Sequence, residues 1–118
     1  MSLTLLNRVV GQPHINQSAL HIIRDIFSVR ELTIEKIIFF GSRARGDFNK
    51  DSDWDFLVIS GQELPVREKH RLITQIKRQL AKLNIPNDII IQSERAFEIQ
   101  KSFPGNISYV ANLEGVIA

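Results

Sequence analysis

Hydrophobic positions along the chain follow two periods. Ala19, Leu20, Ile22, Ile23, Ile26 and Phe27 recur at helical spacing. Asn16 or Ser18 ahead of them suits an N-cap, so a helix is expected over about 17–29. Ile34 to Phe40 ends in the unbroken run Ile37-Ile38-Phe39-Phe40, the pattern of a strand covered on both faces. Gly41 breaks it. After the polar stretch Ser42 to Ser52, Trp54 to Ile59 reads as a second strand, stopped by Ser60-Gly61.

Pro65 suits the first turn of a helix. Leu72, Ile73, Ile76, Leu80 and Leu83 then put one apolar face on that helix to about Leu83. Lys69 falls in the same sector, so either its stem snorkels or the regular helix begins later. Asn84 and Pro86 end it. Asp88 to Gln92 is a third buried strand, and Glu94 to Lys101 a short helix. Ile107, Val110 and Ala111 give a last helical turn or two before Gly115. Residues 1–13, with Leu3, Leu5, Leu6, Val9 and Val10, are unassigned between a packed arm and a loose tail. The order helix, strand, strand, helix, strand, helix implies an α/β (α+β) fold, a small mixed sheet with helices packed against it.

At 118 residues the chain is expected to form one domain, 1–118, with 1–13 as its unassigned arm. Its 43% hydrophobic and 24% charged content excludes a disordered or collagen-like chain. Cysteine is absent, which excludes disulfides and thiolate metal sites and fits a reducing compartment. No apolar run spans a bilayer and no signal-peptide pattern is present, so a cytoplasmic protein without a membrane partner is expected. A net charge of +2 is weak evidence for a nucleic-acid partner, and none is expected.

The placement of charge says more than its sum. Asp47, Asp51, Asp53 and Asp55 fall within nine residues. Side chains alternate along a strand, so Asp53 and Asp55 share a face, with Cα atoms about 6–7 Å apart. Two such carboxylates near a core favour a cation between them, and magnesium suits the case where phosphates are held. Gly41-Ser42 directly follows a buried strand. Glycine there allows a ligand close to the backbone, and successive free N–H groups bind anions. Arg43 and Arg45 add positive charge. One loop therefore offers phosphate donors and the next strand offers metal ligands. Asp47 and Asp51 read as turn residues, and Trp54, facing away from the carboxylates, as core packing. His14, His21 and His70 lack metal-ligand spacing. Tyr109 reads as a core-edge residue. Arg67, Arg71, Arg78 and Lys82 form a stripe opposite the apolar face of their helix, expected to be a solvated face.

The stretch from Gly41 to Val58, GSRARGDFNKDSDWDFLV, resembles the signature of the DNA polymerase beta-type nucleotidyltransferase superfamily. That pattern is Gly-Ser, ten residues, then Asp-x-Asp, as in Gly41, Ser42, Asp53 and Asp55. Asp88, opening its strand, matches the third carboxylate better than Glu94, which lies past the strand. The ending Leu113-Glu114-Gly115-Val116-Ile117 is similar to the closing segment of the minimal nucleotidyltransferases, or MNT proteins.

The resemblance implies a polymerase beta-like nucleotidyltransferase core and a role for each matching residue. Gly41 and Ser42 would bind the terminal phosphates of ATP, with Arg45 supporting the triphosphate. Asp53 and Asp55 would hold two magnesium ions about 3.5–4 Å apart. Asp88 would ligate only the catalytic ion and take the proton from the attacking hydroxyl. Larger members append acceptor-binding domains, so here the acceptor is expected from a partner or a second subunit, in a homo- or hetero-oligomer. The MNT antitoxins, which pair with helical HEPN toxins, imply transfer of AMP to a toxin tyrosine. Two alternatives stay open: transfer to a small molecule or a nucleic-acid end with a partner subunit, and a non-catalytic toxin-binding antitoxin.

Overall fold

Asn16 opens the first helix. Its side-chain oxygen accepts the Ala19 N–H at 3.0 Å, and α1 runs Gln17–Val29 behind it. The structure, a computed structural model, describes residues 14–118, so the question posed by residues 1–13 lies outside the described residues. Strand β1 (Ile34–Phe40) follows α1. A single turn of helix, α2 (Ser42–Arg45), and a loop lead to β2 (Trp54–Ser60). Helix α3 (Val66–Lys82) then crosses to β3 (Asn87–Ser93). Helices α4 (Glu94–Gln100) and α5 (Ile107–Glu114) precede a two-residue strand, β4 (Val116–Ile117).

The sheet is mixed, in the order β3-β2-β1-β4. β1 is antiparallel to β2 and β4, and β2 is parallel to β3. The run Ile37 to Phe40 is buried on both faces as its composition predicts. Ile37 and Phe39 join α1, α3, Phe56 and Val58 in one apolar layer. Ile38 and Phe40 pack with Leu57, Ile59, Phe97 of α4 and Ala111 of α5 in the other. Phe27, Phe39, Phe56 and Phe97 are at most 1% exposed. Each such ring contributes about 1.5–3 kcal/mol of burial.

Alternation carries the same rule to the chemistry. Trp54, Phe56 and Val58 face α1 and α3, so Asp55 faces the α4–α5 side. On β3, Ile89 and Ile91 face α1 and α3, so Asp88 shares the side of Asp55.

Three details differ from the sequence-based expectations or resolve them. Pro65 is the N-cap of α3 and keeps an extended ψ of 152°, so the helix proper begins at Val66. That start precedes the half-buried Lys69, which excludes the later beginning. β4 has no signal in the hydrophobic pattern, because two residues cannot display a period. It exists through pairing of Val116 with Phe39 and Ile117 with Ile38. Arg67, Arg71, Arg78 and Lys82 are exposed, as a solvated helix face requires.

Candidate active site

The site begins where β1 stops. Gly41 has φ 81°, in the left-handed region that favours glycine. A Cβ here would lie 1.9 Å from Oδ2 of Asp55, so the same residue makes room for that carboxylate. α2 starts at the next residue and is closed by Gly46 at φ 95°.

The two arginines of α2 have different work. The Arg43 guanidinium lies 4.3 Å from the Trp54 ring centroid and 4.8 Å from that of Phe48. It donates to the carbonyls of Ser52 at 2.9 Å, Lys50 at 3.2 Å and Asn49 at 3.3 Å. Arg43 thus ties down the loop that delivers Asp53. Arg45 points the other way, to Asp47 at 3.2 Å and to both carboxylate oxygens of Glu114 at 3.1 and 3.2 Å. Trp54 is 9% exposed and stacks on Phe39 at 5.6 Å, which places it in the core as expected.

The three carboxylates lie at one end of the sheet. Asp55 is paired across β1 with Phe40 and across β3 with Asp88. Asp53 sits two residues ahead of it, exposed, where the loop enters β2. A polar cleft of about 490 Å³ is lined by Gly41, Ser42, Arg45, Asp51, Ser52, Asp53 and Asp55. Asp88 stands beside this lining through its register with Asp55. Asp51 keeps its turn role, its N–H donating to Oδ1 of Asn49 at 2.8 Å, but it also lines the cleft. Glu94 opens α4 beyond the far end of β3 and belongs to a different hollow, with Gly61 and Glu63.

Burial pushes the Asp55 carboxyl up to about 6, helped by the charges of Asp88 and then Asp53, while Arg45 opposes the rise. The neighbouring charges therefore act on Asp55 through space. In this arrangement no three metal-ligating side chains converge on a common point among the described residues. The donor set is nonetheless the hard-oxygen set that suits magnesium, and one of its carboxylates is destabilised in its charged form, first by burial and then by its like neighbours. These residues fit the ion in donor chemistry, though they do not converge on one point here.

Glu114 is the site residue to which sequence reasoning assigns no role. Its Oε1 accepts the Gly41 N–H at 3.3 Å, across 73 positions of chain. Only the Glu-Gly pair in the closing segment hints at it, and no spacing rule connects it to Gly41.

Comparison with known proteins bears on the family and the fold. A family model described as a nucleotidyltransferase domain matches residues 20–111. Two Methanocaldococcus jannaschii proteins, provisionally named protein adenylyltransferases, are similar in sequence. One is 32% identical over 62 residues, covering 52% of this chain and 63% of its own, so the chain spans less than two thirds of that relative. The other is 34% identical over 76 residues, covering 63% and 71%. Among solved structures, a toxin–antitoxin complex with AMP-PNP superposes with a TM-score of 0.50 at 17% identity, covering 82% of this chain and 69% of that one. A variant of the toxin–antitoxin MntA-HpeT with two aspartates changed to glutamate gives 0.53 at 16% identity, covering 86% and 69%. A variant of the same complex with a tyrosine changed to alanine gives 0.54 at 18%, covering 89% and 72%. At these identities the structures share a fold with this chain. The family match, covering most of the chain from α1 into α5, together with the fold, makes this protein a member of the nucleotidyltransferase domain family.

Proposed function

We propose that this enzyme is a magnesium-dependent protein adenylyltransferase that moves AMP from ATP to a tyrosine hydroxyl of a HEPN-type toxin, acting as its antitoxin in the cytoplasm. The observation that carries the reading is the contact of Gly41 with Asp55, with Asp88 in register beside them. It sets an anion-binding turn and an arginine directly against a group of carboxylates, the pairing that a nucleoside triphosphate with magnesium requires. The names of the two similar archaeal proteins support transfer to protein, and the complexes that share the fold support a toxin as acceptor. We take residues 1–118 as one catalytic domain.

In this reading Gly41 N–H, the Ser42 hydroxyl and Arg45 hold the terminal phosphates and orient the α-phosphorus toward the acceptor. Asp53, Asp55 and Asp88 are the metal ligands. Magnesium, when bound, neutralises charge on the attacking and leaving oxygens. Asp88, at the open edge of the site, receives the proton of the tyrosine hydroxyl as its oxygen bonds to the α-phosphorus. The bond from the α-phosphorus to the bridging oxygen breaks, and pyrophosphate leaves toward Arg45. Arg43, Trp54 and Phe48 keep the intervening loop in place, so Asp53 stays near Asp55.

The test is incubation of the protein with magnesium, each nucleoside triphosphate in turn, and the protein encoded beside it, followed by intact-mass measurement. The expected result is a gain of one or more AMP units on the partner, lost when the partner's acceptor tyrosine is changed to phenylalanine. A partner of unchanged mass, with its toxicity still suppressed by the complex, would refute transfer and leave binding alone.

A further inference from the structure

From α5, Glu114 reaches Gly41 and Arg45 of the cleft lining, and neither the phosphate nor the metal assignment uses it. Its carboxylate accepts the Gly41 N–H at 3.3 Å and bonds Arg45 Nη1 through both oxygens, at 3.1 and 3.2 Å. Its side chain is 20% exposed and that of Arg45 44%, so the contact stands at the surface, open to an incoming ligand. Gly41 N–H and Arg45 are two of the donors that the proposed function gives to the terminal phosphates. A carboxylate and a phosphate edge make the same demand on such donors: two acceptor oxygens carrying negative charge.

Packing of the next two residues fixes the position of Glu114. A Cβ at Gly115 would lie 2.3 Å from Cγ2 of Ile38 and 2.4 Å from the Ala111 carbonyl oxygen. The bare backbone at 115 lets the end of α5 press against β1, and the Gly115 N–H donates to Ala111 O at 2.8 Å. Val116 then pairs with Phe39 in β4. The last helical residue is thereby pinned next to the end of β1, where Gly41 begins. Glu114 also adds a fourth acid to an end of the sheet that already holds Asp53, Asp55 and Asp88. A glutamate placed there by a fitted glycine and a strand pairing has a defined partner in Arg45, and that partner is shared with the ligand.

We infer that Glu114 is a resident stand-in for the terminal phosphate: it fills the cradle of the free enzyme and is expelled by a nucleoside triphosphate, so it lowers affinity only for ligands that carry the outer phosphates. The inference rests on the nucleotide-binding part of the proposed function. A triphosphate brings several negative charges to the donors that Glu114 holds with one, so it can replace the carboxylate. AMP has no outer phosphates and leaves Glu114 where it is. The nucleotide-free enzyme keeps Arg45 oriented, and the cost of eviction falls on every ligand that uses the cradle.

The experiment compares wild type with Glu114→Gln, which keeps the shape and removes the charge. Dissociation constants are measured by calorimetry in magnesium buffer for ATP, inorganic tripolyphosphate and AMP. Glu114→Gln should bind ATP and tripolyphosphate about tenfold more tightly, about 1.4 kcal/mol, with AMP unchanged. Weaker or equal binding of ATP by the variant would overturn the inference and make Glu114 a holder of Arg45 for the bound ligand. Equal tightening for AMP would overturn it too, because the effect would then be general charge. If a folded wild type binds neither ATP nor tripolyphosphate, the nucleotide reading fails along with the inference. If wild type binds ATP and only the tightening is missing, the inference alone fails. Should the variant not fold, the side-chain carboxyl ¹³C resonance of Glu114 in the wild type serves instead. It should move on saturation with tripolyphosphate, and an unmoved resonance with ligand bound would overturn the inference.

Discussion

Replacing Asp55 by asparagine should stabilise the metal-free protein at neutral pH. Asp55 lies half-buried between Phe40 and Asp88, with Gly41 packed against its Oδ2. Burial, then Asp88, then Asp53 raise its carboxyl from an ordinary 3.8 to about 6. A folded value above the unfolded one means that the native state holds the proton more tightly. That contribution to stability is complete below pH 3.8 and is lost as pH rises through about 6. Above that window the ionised carboxylate is a net cost. The rise converts to about 3 kcal/mol at full strength. Solvent screening of a half-exposed group reduces this to about 1–2 kcal/mol. For a chain of this length 1 kcal/mol moves the melting temperature by about 4 °C, so Asp55→Asn should melt about 4–8 °C higher at pH 8 in EDTA. The two proteins should converge as pH falls toward 4. Magnesium-ATP should then raise the wild type by mass action and the variant far less. The assay is a set of calorimetric melts from pH 4 to 8, with EDTA and with magnesium-ATP. A variant that melts lower than wild type in EDTA at pH 8, or a difference that does not change with pH, would refute the electrostatic reading of the site.

Single contacts give four more expectations. Gly41→Ala should cost more than about 2 kcal/mol, because strain at positive φ adds to a clash with Asp55; urea titration measures it, and adding Asp55→Ala should recover part of the loss. Arg43→Ala should cost about 1–2 kcal/mol through lost carbonyl bonds and ring contacts, with a shift in Trp54 fluorescence, since the guanidinium lies on that ring. Ser42→Ala should leave the melting temperature nearly unchanged while weakening ATP by about 1.5–3 kcal/mol and AMP much less; equal losses for both ligands in calorimetry would remove Ser42 from the phosphate role. Asn106→Ala should destabilise by about 1 kcal/mol in the same urea titration, because its side chain caps α5 through the Tyr109 N–H.

Much of this protein is decided locally, and local decisions are visible in the chain. The limits of α1 and β1 lie where an Asn16 cap, the periodic apolar residues and Gly41 place them, since caps, periods and breakers act over a few residues. The common face of Asp53 and Asp55 needs only the pleat of one strand. The spacing from Gly41-Ser42 to Asp53 is readable because the family motif is continuous in sequence.

The tertiary structure decided whatever depends on which strands lie side by side. Asp88 faces Asp55 because β3 runs parallel to β2 in a particular register. The raised carboxyl of Asp55 arises from burial and from charges brought in by neighbouring segments. Arg43 and Arg45 are near neighbours of one residue type, yet one closes a loop over aromatic rings and the other meets Glu114. Their difference is one of direction around a single helical turn, which composition does not carry. Glu114 itself joins the site only because Gly115 admits the end of α5 against Ile38 and Val116 pairs with Phe39. A contact between residues 41 and 114 depends on the packing of the whole sheet between them, and no local period or propensity encodes it.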